Sequence, residues 1–191
     1  MAIKEYSYKN NGNDKLSEHF RVKEFRARRN GAVDGDKILI SEELVLMLEK
    51  LSRAVKYKPV IITDGYRTEE FDKLLTGKTG YHTKGLAADI RVEGYTSYEL
   101  AAIAELLGFD GIGVINDRAV HLDIRGYKSF FVEKSVSAAD TYSVKTFLCT
   151  ETYMALTKKL FSLGDNTIAY MRKWKWFDLL FEKLVQGTVY A

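Results

Sequence analysis

Three histidines in 191 residues bound the chemistry open to this chain, because any step needing imidazole must use His19, His82 or His121. His82 stands in the loop-like run Tyr81-His82-Thr83-Lys84-Gly85, and Asp89 follows inside the small, apolar stretch Leu86-Ala87-Ala88-Asp89-Ile90. A carboxylate in such surroundings is costly to bury unless it is paired or bound to a cation. His121 lies in Ala119-Val120-His121-Leu122-Asp123-Ile124-Arg125. Its strand-like alternation puts His121 and Asp123 on one face and Val120, Leu122 and Ile124 on the other. Two histidines and a carboxylate are a recurring catalytic zinc set that leaves a fourth position for water. Spacing alone also fits a hydrogen-bonded His–Asp pair, since His-x6-Asp is not a self-sufficient motif. The location of two of the three histidines, each with a carboxylate close by in apolar surroundings, raises the weight of the metal reading.

The elements that must position these residues follow from periodicity and turn chemistry. Ser41 with Glu42 and Glu43 reads as a helix N-cap with an acidic first turn, and Leu44, Val45, Leu48, Leu51 and Val55 continue at helical spacing. Pro59 precedes the β-branched run Val60-Ile61-Ile62-Thr63, which predicts a buried strand. A helix is expected over 68–75, ending in Thr76-Gly77-Lys78-Thr79-Gly80. A strand is expected over 86–92, and a helix over 98–107 stopped by Gly108. Residues 111–115 and 119–124 read as two strands around an Asn116-Asp117 turn. This order predicts an α+β fold in which a small, mainly antiparallel sheet is flanked by helices.

Three segments are expected: an N-terminal arm at 1–15, polar and rich in Asn and Lys; a core domain at 16–131; and a helical extension at 132–191. In the extension, 150–163 and 167–185 are apolar at helical spacing around Gly164-Asp165-Asn166, which predicts a C-terminal helical hairpin. Its aromatic stripe, Trp174, Trp176, Phe177 and Phe181, is bordered by Arg172, Lys173 and Lys175. The ordinary reading is that the two helices pack against each other and the core domain, or against another subunit, and a membrane-surface or wall-binding helix is the alternative; self-association or wall contact is therefore assigned to 150–187. The basic patch Arg26, Arg28 and Arg29 reads as a solvated face.

Composition excludes several classes. With 46% hydrophobic and 13% aromatic residues, the chain can offset the entropy of ordering and is not disordered. The lone Cys149 excludes a disulfide framework and any Cys-rich zinc site. A net charge of +3 is too small and too dispersed to argue for nucleic acid. The N-terminus lacks the apolar core of a signal peptide, and no apolar run of membrane-spanning length exists. The expected product is made in the cytoplasm, without a transmembrane segment.

Several segments together carry a resemblance. Asp64-Gly65-Tyr66-Arg67-Thr68, His82 with Gly85, Ala87 and Asp89, Gly111-Ile112-Gly113, and Val120-His121-Leu122-Asp123-Ile124-Arg125-Gly126 occur in one order and spacing. In this the chain resembles the zinc D-Ala-D-Ala carboxypeptidase-like metallopeptidases. That group includes murein endopeptidases and phage L-alanyl-D-glutamate endolysins, with the hedgehog signalling domain as a distant relative. The lead-in Leu16-Ser17-Glu18-His19-Phe20 with Glu24-Phe25 also looks like the start of the short members.

The resemblance implies zinc held by His82, Asp89 and His121, and a substrate among peptidoglycan stem peptides. Arg67 matches the family arginine that steadies the substrate carbonyl or its oxyanion. Catalysis needs a carboxylate to carry a proton to the leaving amine. Asp123 is the first choice and Asp117 the alternative, because several relatives place the base shortly before the second histidine; here Arg118 stands three residues before it. Other departures are Asp64 and Gly80, where many relatives have serine, and Ile115, where many have tyrosine; Tyr81 or Tyr127 is a possible substitute donor. His19 is expected to have no role in the site. The resulting expectation is a zinc peptidase that cuts the cell wall, in the manner of a phage-encoded or virion-borne lysin. The alternative is a zinc-stabilised, weakly active or inactive wall-binding or virion-structural module.

Overall fold

A computed structural model describes residues 2–27 and 35–133. The expected helical hairpin, with the stripe at 174–181 and Cys149, lies outside the described residues, as do Arg28 and Arg29 of the basic patch. The elements run β1 (Ile3–Ser7), α1 (Tyr8–Asn11), a short 3-10 turn (Val22–Phe25), β2 (Lys37–Ser41) and α2 (Glu42–Ala54). There follow β3 (Val60–Asp64), α3 (Glu69–Thr76), a 3-10 turn (His82–Lys84), β4 (Ala87–Val92) and α4 (Ser97–Leu107). The strands β5 (Gly111–Val114), β6 (Ala119–Asp123) and β7 (Ser129–Val132) complete the described fold. The α+β class is as expected.

The main sheet has five strands in the order β3-β4-β6-β5-β7. Its first four strands pair antiparallel, and β7 lies parallel to β5. Alternation gives each strand one face toward the helices. Ala88, Ile90, Val92, Ile112, Val114, Val120 and Leu122 are buried there in one cluster with Leu44, Leu48 and Leu51 of α2 and Leu100, Ile103 and Leu107 of α4. Burying each large side chain of this kind contributes about 1.5–3 kcal/mol, so this face holds the domain together. The opposite face carries Asp89 and Arg91 of β4 and His121 and Asp123 of β6.

Helix ends are set locally. Thr68 accepts a hydrogen bond from Phe71 N at 3.2 Å, and Thr96 and Glu99 form a reciprocal capping box on α4. Gly108 ends α4 with φ 89°, a conformation that favours glycine. Ser41 does occupy the N-cap position of α2, but its side chain makes no capping bond.

The N-terminal lead-in is not a loose arm. Residues 3–7 form β1, paired antiparallel with β2 from Ile3↔Ser41 to Ser7↔Lys37. Lys4 pairs with Glu42 at 2.5 Å and Glu5 with Lys37 at 2.7 Å, so charge complementarity as well as the ladder ties it to the domain. Of the basic patch, Arg26 is half-buried: its guanidinium stacks 3.8 Å from the Tyr8 ring centroid and donates to Gly35 O at 2.6 Å.

Candidate metal centre

The open face of the sheet brings together residues far apart in sequence. Asp89 and His121 are direct partners across β4 and β6, and Gly113 of β5 faces His121 on the other side. His82 arrives from the 3-10 turn before β4, which Gly85 closes at φ 68°. A Cβ on Gly85 would also collide with the backbone of Leu39 in β2, so the turn seats on the neighbouring strand only with glycine there. A register irregularity in β3 between Ile62 and Asp64 sets Asp64 opposite Asp89; such bulges re-aim a side chain at the edge of a sheet.

Three ligand atoms form a small triangle. His121 Nδ1 is 2.9 Å from Asp89 Oδ1 and His82 Nε2 is 3.2 Å from the same oxygen, while the two ring nitrogens are 3.1 Å apart. Ligands at ~2.0–2.1 Å around a tetrahedral zinc are separated by roughly 3.3–3.4 Å, so the triangle has nearly the size of one face of such a site. All three residues are buried. The His82 ring is oriented from behind, Nδ1 lying 2.6 Å from Gly65 O. With Nδ1 donating to that carbonyl, the lone pair of Nε2 faces the triangle.

Charge around the triangle points the same way. Arg67 is buried and donates to three carboxylates: Nε to Asp64 Oδ2 at 2.9 Å, an NH group to Asp72 Oδ1 at 2.9 Å, and another to Asp89 Oδ2 at 3.1 Å. Asp123 is fully buried and is held by Arg125 through Nε at 2.8 Å and through a further guanidinium contact. Four buried carboxylates thus face two guanidinium groups. With the imidazoles neutral, the form in which they bind a metal, this leaves two negative charges, the amount one divalent cation neutralises. Without a cation, burial opposes charge on His121, but Asp123 and Asp89 raise it to about 9 and favour its imidazolium. The donor set, its spacing and its charge therefore fit zinc.

Burial raises the carboxyl of Asp64, only partly opposed by Arg67, and its Oδ1 is buried with no hydrogen-bond partner among the described residues. For Asp89 the penalty of burial is outweighed by His82 and His121, and its carboxyl falls well below the usual carboxylate range. Burial likewise opposes charge on Asp123, but the Arg125 and His121 hydrogen bonds bring it down to about 2.

The expected site residues separate into groups. His82, Asp89 and His121 converge, and Arg67 joins them through Asp89. Asp123 is adjacent but lies across the imidazole: its Oδ2 is 2.9 Å from His121 Nε2, the nitrogen opposite the one in the triangle. Asp117 is not brought in. It sits on the exposed β5–β6 turn, 3.6 Å from Arg118 of the same turn. His19 stands apart, 2.8 Å from Glu49 and stacked on Tyr57. Tyr81 and Tyr127 meet at the rim, hydroxyl to hydroxyl at 3.0 Å, with Arg125 over the Tyr81 ring.

Sequence reasoning missed Asp72 and the reason for the glycines of β5. Asp72 reads in sequence as a first-turn acid of α3 but also accepts from Gly80 N at 2.7 Å, tying the His82 loop to Arg67. A Cβ on Gly111 would collide with the Asp123 carboxylate, and one on Gly113 with the ring of Phe131, which itself lies 5.5 Å from the His121 ring. The signal for both was present in Gly111-Ile112-Gly113, where glycine at alternate strand positions marks close approach from one face.

An α+β domain thus presents, on a mainly antiparallel sheet, a buried His-Asp-His group that could hold a metal ion. The sequence profile of the peptidase M15 family matches residues 18–123, more than half of the chain, and the chain belongs to that family, whose peptidases are zinc-dependent. No curated protein and no solved structure gave a match.

Proposed function

We propose that the chain hydrolyses an amide bond in peptidoglycan stem peptides, with zinc held by His82, Asp89 and His121. The observation that supports this most directly is the ligand-sized triangle these side chains form on the open sheet face of an M15 family member. When bound, zinc supplies Lewis-acid polarisation of a carbonyl. The chain's own residues supply orientation and proton handling. His82 is aligned by Gly65 O, and Asp89 is held by Arg67. Because all three of its carboxylate partners are internal, Arg67 acts on substrate through the placement of Asp89 rather than by direct reach. Asp123 accepts from His121 Nε2–H and so keeps Nδ1 free to bind the metal, which makes it a positioning residue. The proton-accepting role falls to Asp64, the one carboxylate of the cluster with an unpaired oxygen.

This reading takes 16–131 as the peptidase unit, and 132–191 as a helical extension that self-associates or contacts the wall. The setting it implies is cell-wall lysis by a phage-encoded or virion-borne enzyme. Incubating purified murein with the full chain, with and without chelator, and weighing the fragments tests it. Fragments with new amines are expected only from the metal-loaded protein, and their mass identifies the bond cut. Identical behaviour of wild type and His121→Ala would overturn it.

A second reading, a metal-stabilised wall-binding or virion module without turnover, is favoured by Arg118 at the position where relatives carry the base. It predicts zinc binding and murein affinity with no new amines.

A further inference from the structure

Register places one more charged side chain on the face that carries the ligands. In β4 the residues Asp89 and Arg91 point to the same side, and Arg91 lies directly between Ile61 of β3 and Ala119 of β6. Two residues along a strand span about 6.6–6.8 Å. Arg91 is exposed, and it makes no ion pair or side-chain hydrogen bond among the described residues. The other arginines nearby are committed: Arg67 to three aspartates, Arg125 to Asp123 and Arg118 to Asp117. Ile61, 37% exposed, and Ala119 give Arg91 an apolar floor on either side. An exposed guanidinium with no partner among the described residues is available for bidentate recognition of a carboxylate.

We propose that Arg91 is a substrate-binding residue that selects peptides with a free carboxylate about two residues from the scissile bond. An extended peptide advances ~3.3–3.6 Å per residue, so such a chain laid over the ligands along β4, from Asp89 toward Arg91, brings that carboxylate to Arg91. The inference rests on the peptidase reading and deepens it, by naming what the same site recognises.

The test uses the full-length zinc-loaded protein and three synthetic peptides: L-Ala-γ-D-Glu-L-Lys-D-Ala-D-Ala, the same peptide with the glutamyl α-carboxylate amidated, and the same peptide with the C-terminal carboxylate amidated. Binding is read by calorimetry, and turnover by KM and kcat. Wild type is expected to lose at least about tenfold in binding and in KM when one of the two carboxylates is amidated, a typical effect for a charge-assisted pair, with kcat little changed. In Arg91→Ala that discrimination disappears, Arg91→Lys keeps part of it, and Arg91→Glu favours the amidated peptide. Unaltered zinc content and melting temperature in these variants show that only recognition has moved. Wild type indifferent to both amidations, or Arg91→Ala weakened equally on all three peptides, overturns the proposal while leaving hydrolysis intact. Carboxylate-selective binding without cleavage supports it and removes the hydrolytic reading instead. Failure of all three peptides to bind overturns both.

Discussion

The two faces of the five-stranded sheet are built from the same strands and obey opposite rules. On β6, Val120 and Leu122 point to the helices and are completely buried among aliphatic side chains. Between and beyond them, His121 and Asp123 point the other way and are also buried, among charges. The helix-side face is held by non-directional burial and tolerates any side chain of the right volume. The ligand face consists of directional contacts, in which Asp89, His121 and Asp123 are each held by named partners. Its stability depends on completeness, because a buried charge that loses its partner is strongly destabilising. One period-2 strand thus carries the domain's cohesion and its chemistry on alternate residues.

The contrast breaks most sharply with adjacent substitutions on β6. His121→Ala removes one corner of the triangle, and we expect peptidase activity to fall by at least about a thousandfold with loss of stoichiometric zinc. Leu122→Ala, one residue on, is expected to lower stability by about 2–5 kcal/mol while the folded fraction keeps its zinc and its activity. Metal analysis and denaturant titration on both variants check this. Loss of zinc from Leu122→Ala at native protein fraction would show that the two faces are not independent.

A smaller effect is expected where the second layer of the ligand face is disturbed. Gly111→Ala drives a methyl group into the Asp123 carboxylate, and Asp123→Asn leaves the shape but removes the charge that His121 Nε2–H and Arg125 share. Outer partners of metal-binding histidines typically contribute 10–100-fold in metal affinity, and both variants are expected to weaken zinc by about that factor in chelator competition. If Asp123 were instead the proton acceptor, Asp123→Asn would abolish turnover at unchanged zinc affinity. Asp64→Asn is expected to show that second pattern.

How much of this was legible in sequence differs between the faces as well. The helix-side face was legible because periodicity is its design: Leu44, Leu48 and Leu51 at helical spacing and Val120, Leu122 and Ile124 at strand spacing announce their elements. The ligand triplet was legible because imidazole is scarce here and Asp89 is anomalous among alanines. What stayed hidden depended on partners remote in sequence. The strand β1 is held by its ladder with β2, thirty residues on, with the exposed pairs Lys4–Glu42 and Glu5–Lys37 beside it, and in sequence its polar residues look like an ordinary solvated lead-in. The contact of Asp123 with His121 Nε2 could not be read from a shared strand face, because alternation says which side a carboxylate is on and not which ring nitrogen it meets. Arg91 was hidden for a related reason: that it makes no ion pair or side-chain hydrogen bond among the described residues is not displayed in sequence.

The weakest expected effect concerns a carboxyl that the network on the ligand face does not reach. Glu105 on α4 has a buried Oε2 without a hydrogen-bond partner among the described residues. Burial lifts it to about 7, and Lys128 offsets this only in part. The Lys128 ammonium already donates to Gly108 O and Phe109 O at 2.9 and 2.8 Å. On the ligand face the balance runs the other way, with Asp89 and Asp123 lowered by their partners. A carboxyl raised from 4.5 to about 7 binds more protons in the folded than in the unfolded chain between those values. Stability therefore falls as pH rises through that window and is level on either side of it. Glu105→Gln removes the titration. Discounted for partial exposure, the substitution is expected to stabilise the protein by about 1–2 kcal/mol at pH ~8 and by little at pH ~4. Denaturant titrations at the two pH values check this; an equal gain at both would mean that Glu105 acts through packing and not through its charge.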